Sequence, residues 1–417
     1  MNENKRVEIR RLATGVPGLD AVLGGGLPEY SFNLIAGEPG AGKTTLAQQI
    51  LFANATAERG GLYFTVLGEP PVKMLRYQQQ YSFFDADKVG ESVRFVNLSE
   101  EVMTHDLNRV LERIVRELEE ADPAIVVVDS FRTVVSSVDE NAPGERELQS
   151  FMQRLALHLT SWQATSFLVG EYLPEDRKNN PVFTVADGIL WLSQVIDRNS
   201  IVRKLQVVKV RGQAQMPGLH TFRMSGAGIQ VFPRIPEQQR ARQPATRERL
   251  STGVPGLDEL MGGGIPAGDA VMLAGPSGSG KTTFGTQFIA EGLRQGEAGV
   301  ITVFEEYPEE YLARASARDP SLEESIRAGK LKLIYLRPLD LSVDETLAEI
   351  LDSVREVGAK RVVIDSLSGF EIALAPAFRE DFRESFYRLV GALTAVGVTV
   401  FMTSEVVEGY PDVRFTS

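Results

Sequence analysis

An internal duplication constrains the fold of this 417-residue chain more than any other feature. The run "RLATGVPGLDAVLGGGLP" begins at Arg11, and "RLSTGVPGLDELMGGGIP" begins at Arg249. From Arg11 to Thr45 the offset between the copies stays at 238, and 20 of 35 positions are identical. At the pair Thr184 and Thr416 the offset has drifted only to 232, so small loop changes separate the copies. The repeat predicts one domain that occurs twice.

The duplication divides the chain into a first domain of residues 1–232, a linker of residues 233–248 and a second domain of residues 249–417. The linker is rich in Pro, Gln and Arg, which is typical of an exposed segment. After Thr184 the first copy continues through three β-like runs, whereas the second stops at Ser417. We therefore expect the second sheet to lack its last strands and to expose an edge, and the natural chain to continue further.

Composition narrows the class of function. The chain has 43% hydrophobic and 24% charged residues, which is typical of a globular protein. A net charge of −12 argues against nucleic acid as a partner, because phosphate neutralisation needs clustered Lys and Arg. Cysteine is absent, and the three histidines are too far apart to suggest a metal site. A polar N-terminus and the lack of long apolar runs predict a cytoplasmic protein without a membrane helix.

Each copy shows strands that alternate with amphipathic helices. "FNLIAG" at Phe32 is a short apolar strand that leads into a glycine-rich turn. The run from Asp106 to Ala121 has apolar residues at helical spacing, and "AIVVVDS" is typical of a buried strand that ends at Asp129. In copy two, Ser342 begins a capping box. The pattern predicts an α/β fold: two tandem RecA-like P-loop NTPase domains with mostly parallel sheets covered by helices.

Two P-loops carry the clearest chemical signal. "GEPGAGKT" and "GPSGSGKT" both satisfy G-x-x-x-x-G-K-[ST], between a strand and a helix. In this motif backbone N–H groups surround the phosphates, the lysine reaches the β- and γ-phosphates, and the hydroxyl holds Mg²⁺. The predicted ATP/ADP-binding residues are Gly37, Gly40, Ala41, Gly42, Lys43, Thr44 and Thr45 in copy one, and Gly275, Gly278, Ser279, Gly280, Lys281, Thr282 and Thr283 in copy two.

Carboxylates at strand ends are the candidate metal and catalytic groups. Asp129 and Asp365 each close a buried strand, where a carboxylate can bind the Mg²⁺ shell together with Thr44 or Thr282. Glu171 and Glu405 end later strands, where γ-phosphate sensing, a subunit contact and a plain structural role are equally open.

The strand after the P-loop helix ends on a further acidic pair. "FTVLGEPPV", which begins at Phe64, aligns without a gap to "ITVFEEYPE", so that Gly68 and Glu69 match Glu305 and Glu306. A carboxylate here can orient and deprotonate the attacking water. If Glu69 alone can serve as this carboxylate, the catalytic site of copy one is active. We expect weaker hydrolysis in copy one, because the full pair occurs only in copy two.

Together these motifs resemble the RecA-like ATPases, and most closely the KaiC family of circadian-clock ATPases and kinases. The resemblance covers nearly the whole chain. It rests on the paired "TGVPGLD…GGG(L/I)P" leaders, the two P-loops, "FEEYP", "VVVDS/VVIDS" and "VKVRGQAQMPG". It implies a two-tier homohexamer with ATP at the subunit interfaces, and regulatory protein partners.

The resemblance also assigns roles to residues outside the P-loops. A neighbouring subunit supplies a Lys-x-Arg pair to the phosphates, which here matches Lys209 and Arg211. The second tier of the family can transfer phosphate to an adjacent Ser-Thr pair, and Phe415 occupies the Ser position in this chain. Transfer is therefore restricted to Thr416 or the offset Ser417, and a clock function is not supported.

Three hypotheses remain at this point. The first is a KaiC-like ring ATPase with autokinase activity in the second domain. The second is a RecA-type DNA-processing ATPase, against which the negative charge and the lack of a basic, aromatic-rich loop both argue. The third is a nucleotide-controlled scaffold whose first tier binds ATP with little turnover, and Gly68 is its main support.

Overall fold

The computed structural model describes residues 9–66, 71–136, 145–178, 180–197, 200–234, 248–336, 342–374 and 382–406. Contacts within the chain divide it into two units, Met1–Val195 with Arg203–Arg234 and Ile196–Val202 with Ile235–Ser417. Within the described segments, no helix is long and apolar enough to cross a membrane.

The first unit alternates strands and helices before it ends in a run of strands. Its strands are β1 (Arg11–Leu12), β2 (Leu27–Pro28), β3 (Phe32–Gly37), β4 (Gly61–Thr65), β5 (Val93–Asn97), β6 (Ile125–Asp129), β7 (Thr165–Glu171), β8 (Gly188–Asp197), β9 (Ser200–Val210), β10 (His220–Ser225) and β11 (Gly228–Phe232). Its helices are α1 (Leu19–Leu23), α2 (Lys43–Asn54), α3 (Pro71–Gln78), α4 (Ser99–Met103), α5 (Leu107–Ala121), α6 (Phe131–Ser136), α7 (Glu145–Ser161) and α8 (Pro181–Val185).

Nine of these strands form one sheet in the order β11-β10-β9-β8-β3-β7-β6-β4-β5. The neighbours from β8 through β5 pair in parallel, and β10 pairs antiparallel with both β9 and β11. Apolar cores cover both faces: α2 packs on one face, while α5 and α7 pack on the other. The predicted α/β architecture with a mostly parallel, doubly covered sheet is confirmed.

The second unit repeats the first part of this order. Its strands are β12 (Arg249–Leu250), β13 (Ile265–Pro266), β14 (Ala270–Gly275), β15 (Ala298–Val303), β16 (Leu331–Tyr335), β17 (Ala359–Asp365) and β18 (Thr399–Glu405). Its helices are α9 (Leu257–Leu260), α10 (Lys281–Arg294), α11 (Pro308–Ser316), α12 (Ser321–Arg327), α13 (Val343–Val357), α14 (Leu367–Ala373) and α15 (Phe382–Ala395).

The sheet of the second unit is parallel throughout, in the order β14-β18-β17-β15-β16. Within the described part of the chain, β14 has a paired neighbour on one side only. Its counterpart β3 lies between β7 and β8, and every residue of β3 is buried. In β14 none of the six residues is buried, so β14 is an exposed edge strand of the described sheet.

Local signals explain where the central helices begin and end. The Asp106 carboxylate accepts a hydrogen bond from the Asn108 N–H at 2.9 Å and caps α5. The Ser342 hydroxyl accepts from the Glu345 N–H at 3.2 Å, as the predicted capping box requires. Gly358 ends α13 with a positive φ of 65°.

The register of the sheet corrects one part of the repeat alignment. Thr65 pairs with Asp129, whereas Val303 pairs with Asp365, so β4 and β15 correspond at an offset of 238. The ungapped alignment of "FTVLGEPPV" with "ITVFEEYPE" uses an offset of 237 residues, which is wrong within the strand. A shift of one residue would move every side chain to the opposite face of the sheet.

The difference in length lies in the connection that follows the strand. In copy one, residues 66–70 join β4 to α3; in copy two, residues 304–307 join β15 to α11. Both helices begin at a proline, Pro71 or Pro308, so copy one has one extra residue in this connection. When residues are counted forward from the end of the strand, Leu67 and Gly68 match Glu305 and Glu306. When they are counted backward from the start of the helix, Gly68 and Glu69 match this acidic pair.

Candidate active sites

In the first unit the glycine-rich turn joins β3 to α2, as the motif predicts. Gly42 has a φ of 98° and stands immediately before Lys43, the first residue of α2. A Cβ atom at Gly42 would lie 2.8 Å from the sulfur of the flexible Met224 side chain in β10, which could move aside, so the positive φ is what favours glycine here. The turn therefore presents the N-terminus of α2 at the carboxyl edge of the sheet.

Asp129 ties the end of β6 to the P-loop helix. Its Oδ2 accepts hydrogen bonds from the Thr44 hydroxyl at 2.7 Å and from the Tyr63 hydroxyl at 2.6 Å. Burial raises the pKa of Asp129, and the two hydrogen bonds oppose that rise. Thr44 and Asp129, 85 positions apart in the sequence, are thus brought together as the motifs predict.

Lys43 is largely buried beside this pair. Its Nζ donates a hydrogen bond to the Glu38 carbonyl oxygen at 2.7 Å. Burial lowers the pKa of Lys43, whereas Glu171, Asp129 and Glu38 oppose this effect. Glu171 at the end of β7 therefore contributes to the electrostatics of the P-loop lysine.

In copy two the Lys281 Nζ donates to the carbonyl oxygens of Gly275 at 2.9 Å and Pro276 at 2.7 Å. Asp365 accepts a hydrogen bond from the Thr403 hydroxyl of β18. Space around the turn also differs, because a Cβ atom at Gly280 would meet no atom of the described residues within 4 Å. Among the described residues, the second P-loop repeats the lysine contact of the first, but it is open on the side that β10 covers in copy one.

The two glutamates of copy two occupy different surroundings. The Glu306 carboxylate forms an ion pair of 2.6 Å with Arg314 of α11. Glu305 lies on the Asp365 side, where the Ser366 hydroxyl donates a hydrogen bond of 3.4 Å to its Oε1. Of the pair, Glu305 is the carboxylate next to the end of β17. Their predicted counterpart Glu69 lies outside the described residues.

Lys209 and Arg211 lie together near the end of β9. The Lys209 Nζ donates hydrogen bonds to the carbonyl oxygens of Ala186 at 2.5 Å and Thr184 at 3.3 Å. The Arg211 guanidinium pairs with Asp187 at 2.8 Å. Burial and the neighbouring Arg211 lower the pKa of Lys209, and Asp187 opposes this shift.

The structure says less about the remaining predicted residues. Glu405 ends β18, and its N–H donates to the Ser368 hydroxyl at 3.2 Å. The predicted phosphosites Thr416 and Ser417, and Phe415 beside them, lie outside the described residues.

Sequence reasoning missed two features of these sites. One is Tyr63, whose contact with Asp129 depends on strand register and shows in no motif. The other is a cavity of about 220 Å³ beside α10, whose lining residues include Thr282, Thr283, Arg314 and Arg318. Arg318 donates a hydrogen bond of 2.6 Å to the Thr283 hydroxyl. Spaced arginines on α11 and just after it were the only available signal.

A parallel sheet with a P-loop after its first long strand and an acidic residue closing a central strand defines a RecA-like P-loop ATPase. The family model described as "ATPase: KaiC" matches twice, over residues 12–235 and 250–416. The chain belongs to the KaiC ATPase family.

Curated relatives agree with this assignment. The circadian clock oscillator protein KaiC of Rippkaea orientalis is 29% identical over 98% of this chain and 77% of its own length. The protein of the same name from Picosynechococcus is 29% identical over 96% and 76%. KaiC 1 of Synechocystis is 29% identical over 98% and 78%. The chain is accordingly an ATP-binding and ATP-hydrolysing protein, and neither a DNA-processing ATPase nor a turnover-free scaffold is favoured.

Proposed function

We propose that each of the two tandem domains, 1–232 and 249–417, binds ATP at the carboxyl edge of its sheet, with the P-loop residues named above around the phosphates. The observation that supports this most directly is the 2.7 Å hydrogen bond between Thr44 and Asp129. It joins the two sequence motifs that P-loop ATPases use for the phosphates and the metal. Lys43 and Lys281 already turn their Nζ atoms back over their own glycine-rich turns.

Mg²⁺ is the metal that fits these residues. The donor set of Thr44 and Asp129, repeated as Thr282 and Asp365, consists of hydroxyl and carboxylate oxygens, which are the hard ligands Mg²⁺ prefers. When bound, Mg²⁺ neutralises charge that develops on the phosphate oxygens. The protein's own contribution is to hold both donors at fixed positions, one at the start of a helix and one at the end of a strand.

The surroundings of the acidic pair favour Glu305 as the general base of copy two. Glu306 is neutralised by Arg314, whereas Glu305 lies beside Ser366, one position after the proposed metal ligand Asp365. A base must lie within hydrogen-bond reach of the attacking water, which is held near the phosphates and the metal. We assign proton acceptance to Glu305 and orientation of the connection to Glu306.

We propose that the nucleotide base of copy two lies in the cavity beside α10. The cavity adjoins Thr282 and Thr283, which follow the P-loop lysine, so a nucleotide held by its phosphates can reach it. Arg318 is held by Thr283 at one wall. A guanidinium plane can stack on a purine ring, which gives the cavity a physical means of retaining the base.

Assembly into a ring would add Lys209 and Arg211 of one subunit to the nucleotide site of its neighbour. Lys209 and Arg211 are held near β9 by their own subunit, and a neighbour's phosphates are their proposed target. Membership of the KaiC family supports the homohexamer with ATP between subunits that the sequence resemblance implies. Phosphate transfer to Thr416 or Ser417 stays a prediction, as do regulatory protein partners and cytoplasmic location.

Native mass spectrometry with and without Mg-ATP tests the ring. We expect an assembly of six times the 45.8 kDa chain mass when ATP is present, and smaller species after its removal. ATP held between subunits binds only the assembled state and therefore stabilises it by mass action. A monomer at micromolar chain concentration with saturating Mg-ATP would contradict the proposed interface sites, while leaving nucleotide binding within one chain intact.

A further inference from the structure

A buried tyrosine contacts the proposed metal ligand of the first site. Tyr63 of β4 has no exposed surface, and its hydroxyl donates to Asp129 Oδ2 at 2.6 Å. Hydrogen bonds from a neutral hydroxyl to an ionised carboxylate are short and among the stronger ones in proteins. The Tyr63 ring packs against Phe95, with 5.3 Å between the ring centroids, which fixes where the hydroxyl lies. Nothing in the P-loop chemistry requires this contact.

In the second copy a different residue donates the hydrogen bond to the corresponding aspartate. Ile301 stands at the position that corresponds to Tyr63 and packs with residues of α10, the P-loop helix of its own domain, but it has no hydroxyl group. Asp365 instead receives a hydrogen bond from Thr403 on the neighbouring strand β18. The Tyr63 contact is therefore specific to the first site and is not part of what the duplicated fold demands.

Two donors on one oxygen restrict the carboxylate strongly. Thr44 and Tyr63 both bind Asp129 Oδ2, so the carboxylate is held in one rotamer and Oδ1 is the oxygen that remains for a metal shell. We propose that Tyr63 is a positioning residue that sets the Mg²⁺ requirement of the first site through Asp129. Outer-shell partners of this kind change metal affinity by about 10- to 100-fold when they are removed. This inference rests on the proposed nucleotide site.

The test is Tyr63→Phe in the full chain with Lys281→Ala, so that only the first site binds nucleotide. Affinity for a fluorescent ATP analogue is measured across a Mg²⁺ titration and also in EDTA. We expect the Mg²⁺ concentration at half-maximal enhancement of binding to rise about 10-fold or more. Binding in EDTA should be unchanged, since Tyr63 contacts no phosphate group. The same substitution beside Lys43→Ala is the control and should leave the second site's Mg²⁺ requirement unaltered.

Three other outcomes would each overturn a specific claim. An unchanged Mg²⁺ midpoint with normal nucleotide binding would refute the role of Tyr63 and leave the proposed function standing. Equal loss of binding in EDTA and in Mg²⁺ would show that Tyr63 acts only through folding. No nucleotide binding by Lys281→Ala with Tyr63 intact would overturn the proposed first site itself.

Discussion

Replacing Glu305 by glutamine should lower the turnover of the second site by about 10²- to 10⁴-fold, the range that a general base supplies. Glutamine keeps the size and the hydrogen-bonding oxygen but cannot accept the proton. Binding of ATP should persist, because the P-loop is untouched. Phosphate release is measured in the Lys43→Ala background, which leaves only the second site active.

Glu306→Gln is the matched control, because it removes an adjacent carboxylate from the same connection. Glu306 forms an ion pair with Arg314, and both side chains are partly exposed. Such pairs are worth about 1 kcal/mol or less, so we expect a loss of under about tenfold. A larger loss for Glu306→Gln than for Glu305→Gln would reverse the assignment of the base.

Replacing Arg211 by alanine should reduce first-site turnover by about 10³- to 10⁵-fold, as for arginine fingers in other ATPases. Positive charge near the transferred phosphoryl group stabilises the transition state more than the ground state. Single-turnover phosphate release in the Lys281→Ala background measures this. Arg116→Ala is the control, because Arg116 is exposed on α5, which packs on the opposite face of the sheet from α2.

A mixing experiment separates a finger acting in trans from a local structural role. Subunits with Arg211→Ala keep their P-loop, while subunits with Lys43→Ala keep Arg211. Mixed assemblies should recover part of the first-site turnover that neither variant shows alone. The Arg211–Asp187 ion pair is exposed on the arginine side, so its loss alone predicts a small effect. Without recovery in mixtures, the trans role is wrong.

The repeat and the P-loops allowed the sequence to predict most of the fold. Apolar strands that end at Asp129 and Asp365 lie where the patterns indicate, because buried parallel strands are continuous apolar runs. Arg361 is an exception within such a strand. It is buried and held by Glu297 at 2.7 Å, by backbone carbonyls and by the ring of Phe288. Long-range partners of this kind have no local signature.

Register was the main limit on predicting the sites. A one-residue change in the connection after β4 is hidden when two short stretches align without a gap, yet it decides which residue faces which side. The same limit hid Tyr63, whose contact with Asp129 exists only because the two strands pair in one particular register. Whether Glu69 corresponds to a residue of the acidic pair in copy two therefore depends on whether positions are counted from the end of β4 or from the start of α3.

Phosphate release by the variant Lys43→Ala with Lys281→Ala tests the central claim most directly, that the two P-loops carry the ATPase activity. Both lysines are needed to reach the phosphates, so we expect Mg²⁺-dependent release from ATP to fall to the background of the assay. Each single variant should retain the activity of the other site. Release by the double variant at the rate of the unmodified chain would contradict the account.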